Sequence, residues 1–325
     1  MLSTLKFLRN AAENVNHPVY AQYVNSNGSV LRTCNDANYM EIAYKAPWKG
    51  SVNIFILIDI LSKLTEEVEF VDSENDLHIQ SGRFKSDLII ANMQFPTFLQ
   101  PEMESSIKLD NDLVEVLKQG IKYVGKGNLS PLYIDAHGIC VTDGARMFIH
   151  NHKFDLPKPI SMNTKVLSIL GEENKITSDK FGNIVVGYLG GFGKFRTDPV
   201  DFYPIDKIRE FVKHSSENIE KLCNVATLLD SVEKLSPVLY GESNTFISIL
   251  NNNKTLRIQA ESLVNGSAEL IFTSELQTTF SMNLDLKFLK GITFDFDVFI
   301  NKDRQDRLYL KNNTGSEIVL MGASE

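Results

Sequence analysis

LYIDAHGICVTDGARMFIH at residues 132–150, followed by PKPISMNTKVLSIL at 157–170, decides how this chain folds. Leu132 and Ile134, Ile139 and Val141, and Met147 and Ile149 each place every second apolar side chain on one face, the period of a half-buried strand. Turns separate these runs at Ala136-His137-Gly138 and at Thr142-Asp143-Gly144-Ala145-Arg146. Gly138 and Gly144 can take a positive φ, and Asp143 can bond the backbone of the turn it opens. The reading is three strands, then a fourth strand that leads into a helix.

The same grammar occurs twice more. VYAQYVNSNGSVLRTCNDANYMEIAY (19–44) precedes VNIFILIDILSKL (52–64), and TFISILNNNKTLRIQAESLVNGSAELIF (245–272) precedes TTFSMNLDLKFLKGI (278–292). The triplets Ser161-Met162-Asn163 and Ser281-Met282-Asn283 coincide in the pattern. Each copy then closes with a hairpin: VEFVDSENDLHIQSG (68–82), KITSDKFGNIVVGYL (175–189) and FDVFINKDRQDRLYLKN (296–312). The period of roughly 100 to 120 residues is close to domain size, well above the short solenoid repeats. Proline clusters at Phe95-Pro96/Pro101 and Pro199–Pro204 place boundaries that give domains 1–102, 103–204 and 205–325.

With 325 residues, 43% of them apolar, the chain can bury large cores, and its length is compatible with two or three domains. A net charge of −8 argues against an indiscriminate nucleic-acid coat while leaving room for a locally basic face. Cys34, Cys140 and Cys223 fall one per copy in apolar patterns and read as small buried hydrophobes in a reducing compartment. The N-terminus carries Lys6 and Arg9 inside its apolar pattern, and the longest apolar run, 54–61, is broken by Asp59. That run is far short of the about 20 residues that span a bilayer. The expectation is a soluble, cytoplasmic protein with no membrane partner.

Helical spacing predicts a first helix over about 2–14, a second over 56–64, and a third opening at Asp110 or Asn111. Ile219, Leu222, Ala226, Leu229, Val232 and Leu235 predict the longest helix, stopped by Pro237, and a short helix is expected from Asn283.

Three motifs suggest chemistry and fail on inspection. Gly120 to Gly127 has the spacing of a phosphate loop but glycine where a magnesium-binding hydroxyl is needed, and it follows a helix rather than a strand. The glycines from 187 to 193 open no helix that could receive a pyrophosphate, so a hairpin bend is the better reading. His150 and His152 would share one side of a strand, but no further ligand has metal spacing, and solvent-exposed strand-end histidines are expected. The carboxylates are scattered, so no acid/base pair, cofactor or metal can be nominated and the chain is not read as an enzyme.

GICVTDGARMFIH with ISMNTKVLSIL resembles the second domain of the bacterial DNA sliding clamp, the β subunit of DNA polymerase III. IQSGRFKSDLIIANMQFP (79–96) resembles the close of that family's first domain, and KNNTGSEIVLM (311–321) its C-terminal strand. The resemblance implies an α+β DNA-clamp fold of three repeated domains, helices lining a ring and antiparallel sheets outside. It also implies a head-to-tail homodimer that encircles double-stranded DNA as a processivity factor and binds the polymerase and the clamp loader.

A closed ring is topologically linked to its duplex and needs only weak phosphate contacts. The candidates are Lys6, Arg9, Lys118, Lys122, Lys126, Lys221, Lys287 and Lys290. Carried over from the family, a partner-peptide pocket would be walled by Thr142, Gly144, Arg146, Met147, Pro204, Ile208, Val319 and Met321, and the dimer interface would use Leu88, Leu228 and Leu229. The sequence departs from the family at Ala145, where a larger polar residue is usual, and in ending Gly322-Ala323-Ser324-Glu325 rather than with an apolar tail. These departures imply a diverged version, cellular or viral. The competing functions are a clamp-fold adaptor or structural ring without a replication role, and an unrecognised β-rich hydrolase.

Overall fold

The computed structural model describes the chain except residues 15–17, 97, 99–104, 130, 157, 171–174, 179–182, 189, 197–204, 243–244, 253, 290, 294 and 323–325. It falls into two compact units, one of residues 1–114 and 156–199, the other of 115–155 and 200–325. Every strand pair described below is antiparallel.

The first unit holds an eight-stranded sheet in the order Gly50–Asn53, Tyr23–Ser26, Val30–Cys34, Asn38–Ala43, Gly191–Phe195, Ile184–Tyr188, Lys175–Ser178, Ser105–Lys108. Its first four strands come from the first sequence copy and the other four from the second, whose closing hairpin is followed by the strand Gly191–Phe195. They meet where Asn38–Ala43 pairs with Gly191–Phe195, in a register that sets Ile42 against Gly191 and Asn38 against Phe195. Gly191 permits this approach, because a Cβ there would lie 2.0 Å from the Glu41 carbonyl oxygen. The glycine-rich stretch is thus a hairpin bend, as its lack of a following helix predicts. A separate three-stranded sheet, Glu69–Asp72, Asp76–Ser81 and Phe84–Ile89, ends on Phe84–Ile89.

The helices of this unit cover the sheet with Leu5, Leu8, Ile54 and Leu57, all fully buried. Asn53 starts the helix Ile54–Lys63 by accepting from the Phe55 and Ile56 amides, the expected N-cap chemistry. The first helix is shorter than its apolar spacing predicts. It runs Leu2–Leu8, tightens to a 3-10 turn at Arg9–Ala11, and stops where Ala12 turns extended. Asn10 Nδ2 donates to the Phe7 carbonyl at 2.8 Å, offering the backbone an alternative to another helical turn.

In the second unit one sheet runs Leu132–Asp135, Gly138–Thr142, Arg146–Asn151, Ser316–Met321, Arg307–Lys311, Asp297–Asn301, Ile219–Asn224. Again two copies are joined edge to edge: Arg146–Asn151 of the second pairs with Ser316–Met321 of the third, Arg146 opposite Leu320 and His150 opposite Ser316. A four-stranded sheet, Gly266–Thr273, Thr255–Ser262, Phe246–Asn252, Phe280–Asp285, completes the unit.

The long helix expected over 219–235 is corrected here to a helix Ile205–Ser216, a strand Ile219–Asn224 and a helix Val225–Leu235. Asn218 at φ 47 ends the first helix, and Asn301 Nδ2 donates to the carbonyls of His214, Ser215 and Glu217, consuming its last acceptors. Asn224 then caps the next helix by accepting from the Thr227 amide. The helix expected from Asn283 is a strand, Phe280–Asp285, followed by a 3-10 turn at Leu286–Leu289. Among the described residues, no helix is long and apolar enough to cross a membrane.

Candidate partner-peptide and nucleic-acid surfaces

The turn at Thr142 to Arg146 is held by its own side chains. Asp143 Oδ1 accepts from the Ala145 and Arg146 amides at 3.0 and 2.7 Å, and Thr142 Oγ1 accepts from the Gly144 amide at 3.0 Å while donating to the Arg146 carbonyl at 2.7 Å. Gly144 sits at φ +93, so the glycine is required. Arg146 is engaged as well: its Nε meets Asp143 at 2.8 Å, its Nη2 the Lys122 carbonyl at 2.8 Å, and its guanidinium lies 5.0 Å from the Tyr123 ring centroid and 5.8 Å from that of Phe288. Thr142, Gly144 and Arg146 therefore build the turn, and Thr142 is itself buried.

What the turn positions is Met147. Met147, Ile208, Val319 and Met321 lie in one apolar cluster with Ile205, Val212, Phe211 and Tyr309. Ile208 and Val319 are buried, whereas Met147 and Met321 are half-buried at its edge. The Met321 amide donates to the Ala145 carbonyl at 3.0 Å, tying the last strand to the turn. An apolar layer with two adaptable thioethers at its rim can accept apolar or aromatic side chains of differing shape. Pro204 lies outside the described residues. Ile205, Phe211 and Arg307 were missed in the sequence, although Ile205, Ile208 and Val212 carry helical spacing. The Arg307 guanidinium lies 4.4 Å from the Phe211 ring and pairs with Asp306 at 2.8 Å, which holds the Asp306 carboxyl below its usual range.

Of the cations proposed to face DNA, Lys6, Arg9, Lys118, Lys122 and Lys126 are exposed on or beside helical turns. Lys118 pairs with Glu115 at 2.7 Å, and Lys122 donates to Gln119 and to the Gly291 carbonyl at 3.1 and 3.0 Å. Such exposed interactions hold a side chain weakly, by about 0–1 kcal/mol, and leave it available. Lys287 stands on the 3-10 turn, 2.5 Å from Asp285. Lys221 is a correction. It lies on the strand Ile219–Asn224 and pairs with Asp297 at 2.8 Å, not on a lining helix. Lys290 lies outside the described residues.

Leu88 and Leu229 are half-buried, but Leu228 is fully buried within its own unit, so it serves the core rather than an interaction surface. The exposed apolar side chains stand elsewhere: Ile89 is 76% exposed on the edge strand Phe84–Ile89, and Ile271 is 55% exposed on the edge strand Gly266–Thr273.

His150 also departs from expectation. It is buried, with Nδ1 3.0 Å from the Ser316 hydroxyl and its ring 6.1 Å from that of His152. Burial, then His152, lowers its pKa. Cys34 and Cys140 are buried as expected, whereas Cys223 is half-buried; burial pushes all three thiols up to about 12, as befits inert, apolar-site cysteines. Among the described residues, no group of three or more His, Cys, Asp or Glu could hold a metal ion.

No family model and no curated protein matches the sequence. Solved structures do. The DNA polymerase III β subunit of Thermotoga maritima is 13% identical with a TM-score of 0.81, and the sliding clamp of Bartonella birtlesii, solved bound to griselimycin, is 15% identical at 0.81. The Helicobacter pylori β clamp, solved bound to a DNA ligase peptide, is 14% identical at 0.77. In each case the match covers 100% of this chain and 97% of the other. Full-length agreement of this kind, at an identity too low to carry more than architecture, shows that the chain has the fold of the bacterial DNA polymerase III β sliding clamps.

Proposed function

We propose that the chain is a non-enzymatic DNA polymerase processivity factor: a head-to-tail homodimer that encircles double-stranded DNA and tethers a polymerase through the Met147 pocket. The carrying observation is a pairing rule. The third strand of the first copy pairs with the last strand of the second, Asn38–Ala43 with Gly191–Phe195, and the third strand of the second copy pairs with the last strand of the third, Arg146–Asn151 with Ser316–Met321. Continued once more, the rule pairs Gly266–Thr273 of the third copy with Phe84–Ile89, the last strand of the first, and both of these are edges within one chain. A second subunit supplies the missing partner at each end, and the ring closes.

Domains 1–102, 103–204 and 205–325 are then the repeating units of the ring, and the exposed cations at Lys6, Arg9, Lys118, Lys122 and Lys126 give it weak, mobile phosphate contacts. The pocket takes an apolar-aromatic peptide, supported by the ligase peptide on the Helicobacter pylori clamp. A clamp loader shares that pocket. The test is retention on DNA: the protein stays on nicked circular DNA and runs off once it is linearised, and it stimulates its polymerase on a primed circle. Equal retention on both forms, with no stimulation, would favour the adaptor reading.

A further inference from the structure

The two joints between sequence copies agree residue by residue. The residue of each third strand that pairs back across its own turn is Asn38 in the first copy, Arg146 in the second and Gly266 in the third. The first residue of each closing strand to pair across its turn is Phe84 in the first copy, Gly191 in the second and Ser316 in the third. Asn38 stands opposite Phe195, the fifth residue counted from Gly191, and Arg146 stands opposite Leu320, the fifth counted from Ser316. The flanking bonds repeat as well. The Arg196 amide donates to the Ala37 carbonyl at 2.8 Å and the Met321 amide to that of Ala145 at 3.0 Å, while at the other end Ala43 donates to Gly190 at 2.7 Å and Asn151 to Gly315 at 3.1 Å.

Applied to the two free edges, the same count sets Gly266 opposite Leu88, Ala268 opposite Ser86, Glu269 opposite Lys85 and Leu270 opposite Phe84. The faces then agree. Leu88 lies beside buried Leu77 and Leu270 beside buried Ile258, so the apolar faces of the two edges meet. Lys85 and Glu269 are exposed on the opposite faces; Lys85 has no ion-pair partner among the described residues, and Glu269 has a long contact of 3.7 Å with Arg257. A slip of one residue would turn Lys85 against the apolar face, and a slip of two would set it opposite Ser267 or Ile271.

The count also places Ile89 where Arg196 and Met321 stand in the other joints, with its amide directed to the Asn265 carbonyl. Asn265 ends a turn that carries Leu263 and Val264, which are 105% and 85% exposed, while Ile89 is 76% exposed. That turn is held before any partner arrives: Ser262 Oγ accepts from the Val264 and Asn265 amides at 3.1 and 2.9 Å, and Asn265 Nδ2 donates to the Val238 and Tyr240 carbonyls at 3.0 and 2.9 Å. We infer that a second copy of this chain docks on the edge strand Gly266–Thr273 in this one register, with Lys85 of one subunit facing Glu269 of the other and Ile89 covering the apolar turn at 263–265. The inference rests on the head-to-tail reading and supplies its residue pairing.

The test places cysteines across the boundary in the full-length chain. The repeated bonds translate to 265/89 and 271/83, which leaves Ser86 and Ala268 as a non-hydrogen-bonded pair, whose Cα atoms approach to about 4.5 Å, within disulfide reach. Ser86→Cys with Leu270→Cys is offset by two positions and sets the cysteines about 7–8 Å apart. Under mild oxidation at micromolar concentration, Ser86→Cys/Ala268→Cys forms covalent dimers on non-reducing gels at least about tenfold faster than the offset pair, and the parent chain forms none. A charge exchange reads the register without cysteines: Lys85→Glu raises the dimer Kd about tenfold, and Lys85→Glu/Glu269→Lys returns it to within about threefold of wild type. Circular dichroism confirms that the variants are folded. Faster or equal cross-linking of the offset pair, or no rescue by the exchange, in a chain that sedimentation finds dimeric, overturns the register and leaves the ring standing. A wild type that is monomeric at micromolar concentration overturns both.

Discussion

Replacing Ile89 and Ile271 with aspartate should open the proposed ring while leaving each subunit folded. Fully burying an isoleucine contributes about 1.5–3 kcal/mol. Scaled by exposures of 76% and 55%, the two side chains offer about 2–4 kcal/mol per interface. A head-to-tail dimer has two identical interfaces, so the double variant loses about 4–8 kcal/mol, a thousandfold or greater weakening at about 1.4 kcal/mol per decade. Aspartate adds a desolvation cost in the same direction. Sedimentation equilibrium should find wild type dimeric at micromolar concentration and the variant monomeric, with the far-UV circular dichroism of a folded subunit retained because both positions lie on exposed edges. A variant that remains dimeric at nanomolar concentration would refute the pairing rule. Leu228→Ala is a poor probe of the same interface, since truncating a fully buried leucine costs about 2–5 kcal/mol of fold stability.

Met147→Ala with Met321→Ala should weaken polymerase binding by about 2 kcal/mol, roughly thirtyfold, with dimerisation intact; surface plasmon resonance against the polymerase checks this. Lys6→Ala with Lys126→Ala should reduce the salt slope of equilibrium DNA binding by up to about 0.9 for each phosphate that is no longer neutralised, measured by titration at several salt concentrations. His150 has its folded pKa lowered from 6.5, so the unfolded chain binds the extra proton first as pH falls. Its contribution is full above 6.5 and is lost as pH drops from there toward the folded value; His150→Gln should flatten that part of the melting-temperature profile.

The hairpins were legible because alternation and turn chemistry act within a few residues. Thr142-Asp143-Gly144 specifies its turn by bonds that span two to four positions, and the structure has them. The break at Asn218 was not legible: Ile219 and Leu222 satisfy helical spacing, and what overrides it is Asn301, more than eighty residues away, taking the helix's last carbonyls. The burial of His150 was hidden for the same reason, since the strand that covers it arrives from Ser316. At the candidate pocket, alternation along 146–149 separated Met147 from Phe148, but not Arg146 as a structural latch, which depends on Tyr123 and Phe288. Strand periodicity says which face is buried and is silent about which strand lies alongside.

The division of the second copy between two units carries a consequence for biosynthesis. When residues 38–43 leave the ribosome, the strand they require at 191–195 is about 150 residues from being made, and 146–151 waits longer still for 316–321. A chain of repeats could mature one repeat at a time, but here neither the first repeat nor the second can complete its sheets from its own sequence. Pairings this distant slow folding and leave strand edges bare in the interval. A nascent chain arrested near residue 190 should therefore be readily digested and prone to associate, and protection should come only once the hairpin of the following repeat has emerged.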